Sequence, residues 1–188
     1  MVRWLRLVPF CGALLSGCYE SPAQLLDLAQ ARQPIAASDV LDVRRDITYH
    51  EKITPRADGQ YEFDQATRDM NGRDSTWITH TVLLNDLGTV RGHVLYAYGT
   101  WDGSENAFVY GILVFKGANN WKAVSPDCAR NALGNYVARE YVVAFRDGAT
   151  IDNRSNGICE FSTSGILVGA LRDFANTDEF WLRANDSD

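Results

Sequence analysis

Two long β-forming runs, Thr89 to Trp101 and Asn106 to Lys116, constrain the fold of this chain more than any other feature. Between them lies Asp102-Gly103-Ser104-Glu105, a stretch of turn formers. Folded as a hairpin with Trp101 opposite Asn106, the runs set Gly99 against Phe108, Ala97 against Tyr110, Tyr96 against Gly111 and Gly92 against Phe115. A ring laid over glycine or alanine covers backbone that a missing side chain leaves bare, which favours such cross-strand pairs. The same register opposes Arg91 and Lys116, a mild repulsion at the open end. Both faces carry large apolar groups, so this hairpin is expected at the centre of a sheet, covered by a helix layer or a second sheet.

The remainder reads as further strands divided by turns. Ile47, Tyr49 and Ile53 alternate with polar residues, and Asp58-Gly59 turns the chain into Tyr61-Glu62-Phe63. Asn71-Gly72 begins another break, and Trp77 to Leu84 forms a strand ending at Asn85-Asp86-Leu87-Gly88. Ala118 to Trp121 makes a turn into a short strand, Trp121 to Val124. Asp127 can cap a short helix over 128–138, in which Leu133 and Val137 share a face although Gly134 weakens it. Glu140 to Arg146 and Ile158 to Phe161 are strand-like around a turn at Asp147-Gly148. Leu167, Leu171 and Phe174 are spaced for an amphipathic C-terminal helix over Ile166 to Ala175. Short turns between strands and few long crossovers predict an α+β fold: a mainly antiparallel meander of about seven to nine strands with helices packed on it.

The N-terminus has a different character. Arg3 and Arg6 precede an apolar stretch from Leu7 to Leu15, too short to cross the ~30 Å of a hydrocarbon core as a helix and interrupted by Pro9. It closes on Leu15-Ser16-Gly17-Cys18. This arrangement resembles the lipobox-bearing signal peptide of bacterial lipoproteins, and the resemblance covers the first 18 residues only. It implies cleavage after residue 17, a diacylglyceryl thioether on Cys18 and acylation, palmitate among the acyl groups, of the new amine. Two or more acyl chains suffice for stable attachment without a spanning segment. Tyr19, where an aspartate would favour inner-membrane retention, implies transfer to the outer membrane, lipid-anchored and facing the periplasm. The expected organisation is a signal peptide over 1–17, a lipidated tether with a short helix over 18–44, one globular domain over 45–183 and a frayed tail over 184–188. Within the tether, Leu25, Leu28, Ala29 and Arg32 share a helical face, with Ser21 and Pro22 placed to start the helix and Pro34 to stop it.

The resemblance also implies the fate of the cysteines. Cys11 leaves with the signal and Cys18 carries lipid, so Cys128 and Cys159 remain as a pair in an oxidising compartment. A bond between them closes a loop worth ~3.5 kcal/mol by chain-entropy arithmetic. Lys and Arg number 18 against 24 Asp and Glu, and loss of Arg3 and Arg6 takes the balance from −6 to −8. An acidic body without a basic cluster gains nothing from phosphate backbones, so no nucleic-acid partner is expected.

Candidate sites are sparse. His50, His80 and His93 could hold zinc only if their strands converged, and alternation turns His50 toward solvent with no HExxH spacing joining the others, so no metal or other cofactor is expected. No GxSxG elbow marks a nucleophile, and no catalytic residue is assigned. The loops Asp102 to Asn106 and Asp152 to Gly157 are rich in oxygen ligands but lack the EF-hand pattern, and Asp173, Asp178 and Glu179 read as solvated helix-end charges. Most aromatics around the central hairpin read as core. The candidate binding surface is Trp101 at the loop edge with Asp102, Glu105 and Tyr98. The leading expectation is a non-catalytic envelope lipoprotein that binds another protein, in envelope assembly, as a secretion accessory or in neutralising a toxic enzyme. The alternatives are a lipocalin-like carrier of small apolar ligands, and a lipoprotein enzyme acting on cell wall or lipid.

Overall fold

The computed structural model describes residues 19–44, 47–103, 106–117, 120–126, 144–146, 158–161 and 163–185. The expected helix over 128–138 and the turn at Asp147-Gly148 fall outside them. Ten strands among the described residues form one sheet. They are β1 (Tyr19–Ser21), β2 (Ser38–Arg44), β3 (Ile47–Pro55), β4 (Tyr61–Arg68), β5 (Ile78–Val90), β6 (His93–Asp102), β7 (Ala107–Gly117), β8 (Asn120–Val124), β9 (Ala144–Arg146) and β10 (Ile158–Glu160). Two helices, α1 (Ser164–Ala175) and α2 (Asp178–Asn185), complete an α+β fold. Strands β2 to β8 run as an antiparallel meander, while β1 inserts between β7 and β10, antiparallel to the first and parallel to the second.

Local chemistry sets the turns. Gly59 adopts φ 86°, and Asp58 accepts from the Gln60 amide, which closes the β3–β4 hairpin where the Asp-Gly pair predicts it. The β5–β6 turn differs from expectation. Its two central residues are Arg91 (φ 50°) and Gly92 (φ 81°), a left-handed pair that matches the twist of the flanking strands. Asn85 to Gly88 is no turn but a bulge inside β5, with Asp86 Oδ1 accepting from the Gly88 amide at 2.7 Å. The extra residue shifts the alternation by one, so Val90 packs on the same core as Leu83.

The central hairpin is correct in its pairing logic and wrong in its register. Trp101 lies opposite Phe108, Gly99 opposite Tyr110 and Tyr98 opposite Gly111, two residues from the expected alignment. The reason is the tight packing of those rings: a β-carbon on Gly111 would sit 2.5 Å from Tyr98 Oη, and one on Gly99 would sit 2.8 Å from Tyr110 Cε1. Arg91 does not face Lys116; it pairs with Asp178 at the start of α2 (2.7 Å).

The two faces of the sheet bury different layers. One packs Leu83, Leu95, Ala97, Tyr110, Ile112 and Val114 against Leu167, Leu171, Phe174, Phe180 and Trp181 of the helices. Thr163 caps α1, and its helical spacing sends the apolar stripe inward. The second helix takes in the first two residues of the expected frayed tail over 184–188: Ala184 is wholly buried and its carbonyl accepts from Lys116. The other face buries Tyr61, Phe63, Val82, Leu84, Tyr98, Leu113 and Trp121. Phe63 of β4 meets Trp121 of β8 edge to face at 6.3 Å, although three strands separate them in the sheet. The sheet therefore curls upon that face, and its own rings supply the second cover.

Residues 19–44 are not a tether. Tyr19, Glu20 and Ser21 are all buried, and Tyr19 stacks 4.7 Å from Phe161. The expected helix shrinks to one 3₁₀ turn, Leu28–Gln30. Sheet side chains compete for its backbone: Tyr110 Oη accepts from the Leu25 amide and donates to the Ala23 carbonyl, while the Asn85 amide bonds both N–H and C=O of Asp27. Backbone groups satisfied in this way have no need of helical partners.

Candidate functional site

The expected surface around Trp101 is not assembled. Trp101 is 41% exposed and rests edge-on against Phe108. Tyr98 and Asp102, on the opposite face of β6, are buried, and Tyr98 Oη bonds Ser125 Oγ at 2.8 Å inside the curl. The even-numbered and odd-numbered residues of one strand point apart, which separates Trp101 from both. Glu105, Cys18 and Cys128 lie outside the described residues. Cys159 is wholly buried and disulfide-bonded.

The histidines are likewise dispersed. His93 Nδ1 lies 3.2 Å from the Phe115 carbonyl and its ring packs near Trp181. Burial pushes the half-buried His80 imidazole down, against the opposing pull of Asp102. Among the described residues, no group of three or more His, Cys, Asp or Glu side chains is arranged to hold a metal ion. No helix among them is long and apolar enough to cross a membrane. Asp178 pairs with Arg91 and Glu179 with Arg183, and both acids sit in the first turn of α2, where they complement its dipole.

His50 overturns its sequence reading: it is buried at the centre of the densest polar cluster on the sheet. Strand pairing places it between Leu41 of β2 and Ala66 of β4, and the chain after β4 folds back over it. Its Nε2 lies 2.6 Å from Asp39 Oδ1, and its Nδ1 lies 2.7 Å from Asp74 Oδ2. Arg68 reaches Asp74 through Nε (2.7 Å) and Nη2 (3.0 Å), and that same Nη2 lies 2.7 Å from His50 Nδ1. Trp77 closes the site with its ring 4.8 Å from the imidazole, and Lys52 Nζ sits 4.8 Å from the centroid of that indole. The Arg68 guanidinium, foremost, holds the Asp74 carboxyl well below the usual carboxylate range, and the His50 hydrogen bond lowers Asp39. Alternation alone could not reveal this site, since the cover over His50 arrives from a loop more than twenty residues later.

These carboxyl shifts have a definite sign. A group whose folded pKa is depressed stabilises the fold above its unfolded pKa and loses that contribution as pH falls. The thermal midpoint is therefore expected to decline as pH drops below about 4. Asp74→Asn should flatten that decline in a melting series; an unchanged slope would show that the cluster does not contribute.

Beside this cluster runs the sheet edge. Among the described residues β2 pairs with β3 alone, and Leu41 (51% exposed) and Val43 (67% exposed) project from it unburied. Ile47 and Ile78 are exposed on the other face of the same end of the sheet. What the site offers chemically is a row of main-chain donors and acceptors flanked by apolar side chains, with a charged cluster alongside. Comparison of the chain with protein-family models, with curated proteins and with solved structures finds no match.

Proposed function

We propose that this protein is a bacterial envelope lipoprotein, attached through lipid on Cys18 to the outer membrane and facing the periplasm. Its body acts as a non-catalytic module that takes an extended segment of another envelope protein onto the free edge of β2. The observation that carries the binding role is that edge: seven residues that, among the described residues, pair on one side only, with Leu41 and Val43 exposed on it. An added strand gains the main-chain ladder, and side-chain fit to Leu41 and Val43 gives selectivity. The lipobox Leu15-Ser16-Gly17-Cys18 supports the anchor. A Cys128–Cys159 bond belongs to the same reading, as it suits an exported domain.

The entry of the chain into β1 at Tyr19 supports a body held close to the bilayer, since no spacer would separate it from an acylated Cys18. The inner face of the sheet is filled by Tyr61, Phe63, Tyr98 and Trp121, which weighs against a carrier.

Two measurements test the proposal. Growth with an alkyne-tagged fatty acid should label the wild type and leave Cys18→Ala unlabelled and released from the membrane. A photo-crosslinker at residue 43 should capture a discrete partner from intact envelopes. With the crosslinker kept at residue 43, Leu41→Lys should lower capture at least about tenfold with an unchanged melting curve, as expected where edge charge blocks strand addition. Equal capture by both proteins, or no partner in either, would overturn the binding role; labelling of Cys18→Ala would overturn the anchor.

A further inference from the structure

We propose that His50 is a two-state proton switch that exchanges the hydrogen-bond partner of its Nδ1 between Arg68 and Asp74, one strand in from the β2 edge. The geometry that requires this is an over-subscription at one atom. Nδ1 lies 2.7 Å from Asp74 Oδ2, which can only accept, and 2.7 Å from Arg68 Nη2, which can only donate. One ring nitrogen carries either a lone pair or a proton, so it serves one of these neighbours at a time.

The two states follow from the donor inventory. In the neutral ring, Nε2–H donates to Asp39 Oδ1 and Nδ1 accepts from Arg68 Nη2. That Nη2 has two protons, and its second goes to Asp74 Oδ2 at 3.0 Å. In the charged ring, both nitrogens donate, Nε2 to Asp39 and Nδ1 to Asp74. Arg68 Nη2 then meets a proton instead of a lone pair and swings outward, while Nε keeps its bond to Asp74 Oδ1. Asp39 stays bound in both states, so the change is confined to Nδ1, Asp74 and Arg68. The proton comes from solvent and no other bond is made or broken.

The groups facing the ring from each packed element suit a switch rather than a lock. Strand β2 contributes Asp39, β3 contributes Lys52, β4 contributes Arg68, and the segment after β4 contributes Asp74 and the Trp77 ring. Asp64 of β4 lies farther along the same face and accepts from the Thr79 hydroxyl. Glu51 points to the opposite face and takes its bond from Gln65. Asp39, Asp74, Lys52 and Arg68 place two carboxylates against two cations around the imidazole. His50 is the cross-strand neighbour of Leu41, which sets the charge of the ring itself beside the edge strand. If the edge receives a partner strand, as proposed above, protonation adds a positive charge at that contact and should favour acidic segments.

The test uses nitrogen-detected NMR of the purified protein from about pH 8 to about pH 5. The expected high-pH spectrum shows His50 neutral with its proton on Nε2 and an acceptor-type Nδ1 signal. Acidification should shift Nδ1 to the protonated position, and the Arg68 guanidinium signals should move with the same midpoint. Arg68→Met should abolish the tautomer preference, and His50→Gln should leave the Arg68 signals flat across the series. A ring that stays in one charge state, a neutral ring protonated on Nδ1, or Arg68 signals that ignore the ring would each overturn the switch. The wild-type series decides the matter alone if a variant does not fold. Partner capture at the two pH values is a separate arm: a switch seen by NMR with no captured partner would refute the binding role and leave the switch standing.

Discussion

Tyr19→Ala is expected to destabilise the domain by about 3–4 kcal/mol, as for other buried aromatic side chains cut to alanine. Tyr19 is 1% exposed, packs on Phe161, and pairs across β1 with Tyr110 on one side and Cys159 on the other. Its loss leaves a void at the seam where β7 and β10 are joined only through β1. Urea denaturation of the purified protein measures the effect. The outcome separates two pictures sharply, because a residue in a mobile tether changes stability by no more than about 0.5 kcal/mol. A shift that small would mean that β1 is not part of the folded sheet. Because these residues form β1, trimming the chain after Cys18 is expected to unfold the body as well.

Gly111→Ala is the second large effect, at about 3 kcal/mol, the upper end of the cost of overpacking a core. The added β-carbon would meet Tyr98 Oη, Cε1 and Cζ at 2.5–2.6 Å. Those atoms have nowhere to go. Tyr98 is wholly buried and its hydroxyl is tied to Ser125. The strand must therefore yield, and β6–β7 is the middle of the sheet. Combining Gly111→Ala with Tyr98→Leu should cost clearly less than the sum of the single changes, since the pair shares one space. Strict additivity in denaturation midpoints would show that ring and glycine do not touch. Gly99→Ala should behave similarly against Tyr110, whose hydroxyl is held by Ser21 and the Leu25 amide.

That ring-on-glycine pairing was readable in the letters, yet its register was not. Sliding the hairpin by two residues keeps every side chain on its face, so alternation cannot distinguish Trp101 opposite Asn106 from Trp101 opposite Phe108. The choice falls to the loop, which keeps four residues but moves on by one, from 102–105 to 103–106, with Asn106 at φ 53°. The β5–β6 turn was hidden for a related reason. Arginine seldom adopts a left-handed conformation, so Arg91-Gly92 is a weak signal beside Asn85 to Gly88, whose turn-like composition serves a bulge instead. Of the site, only exposure at Trp101 matches what its place at a loop edge suggests. His50 was assigned to solvent by the alternation around Tyr49, and the edge at Leu41 and Val43 was not read as a strand.

What the amino-acid sequence by itself determined is the class of fold and most of its strands. Period-two alternation, Asp58-Gly59 and the amphipathic spacing of Leu167, Leu171 and Phe174 act over a few residues, and their physics is local. Only the tertiary structure decided that Tyr19 lies inside the sheet, that Leu25 to Arg32 keeps a single 3₁₀ turn instead of an α-helix, and that His50 is enclosed by Asp39, Arg68, Asp74 and Trp77. Each of these depends on groups far along the chain supplying hydrogen bonds or cover that neighbours in sequence do not.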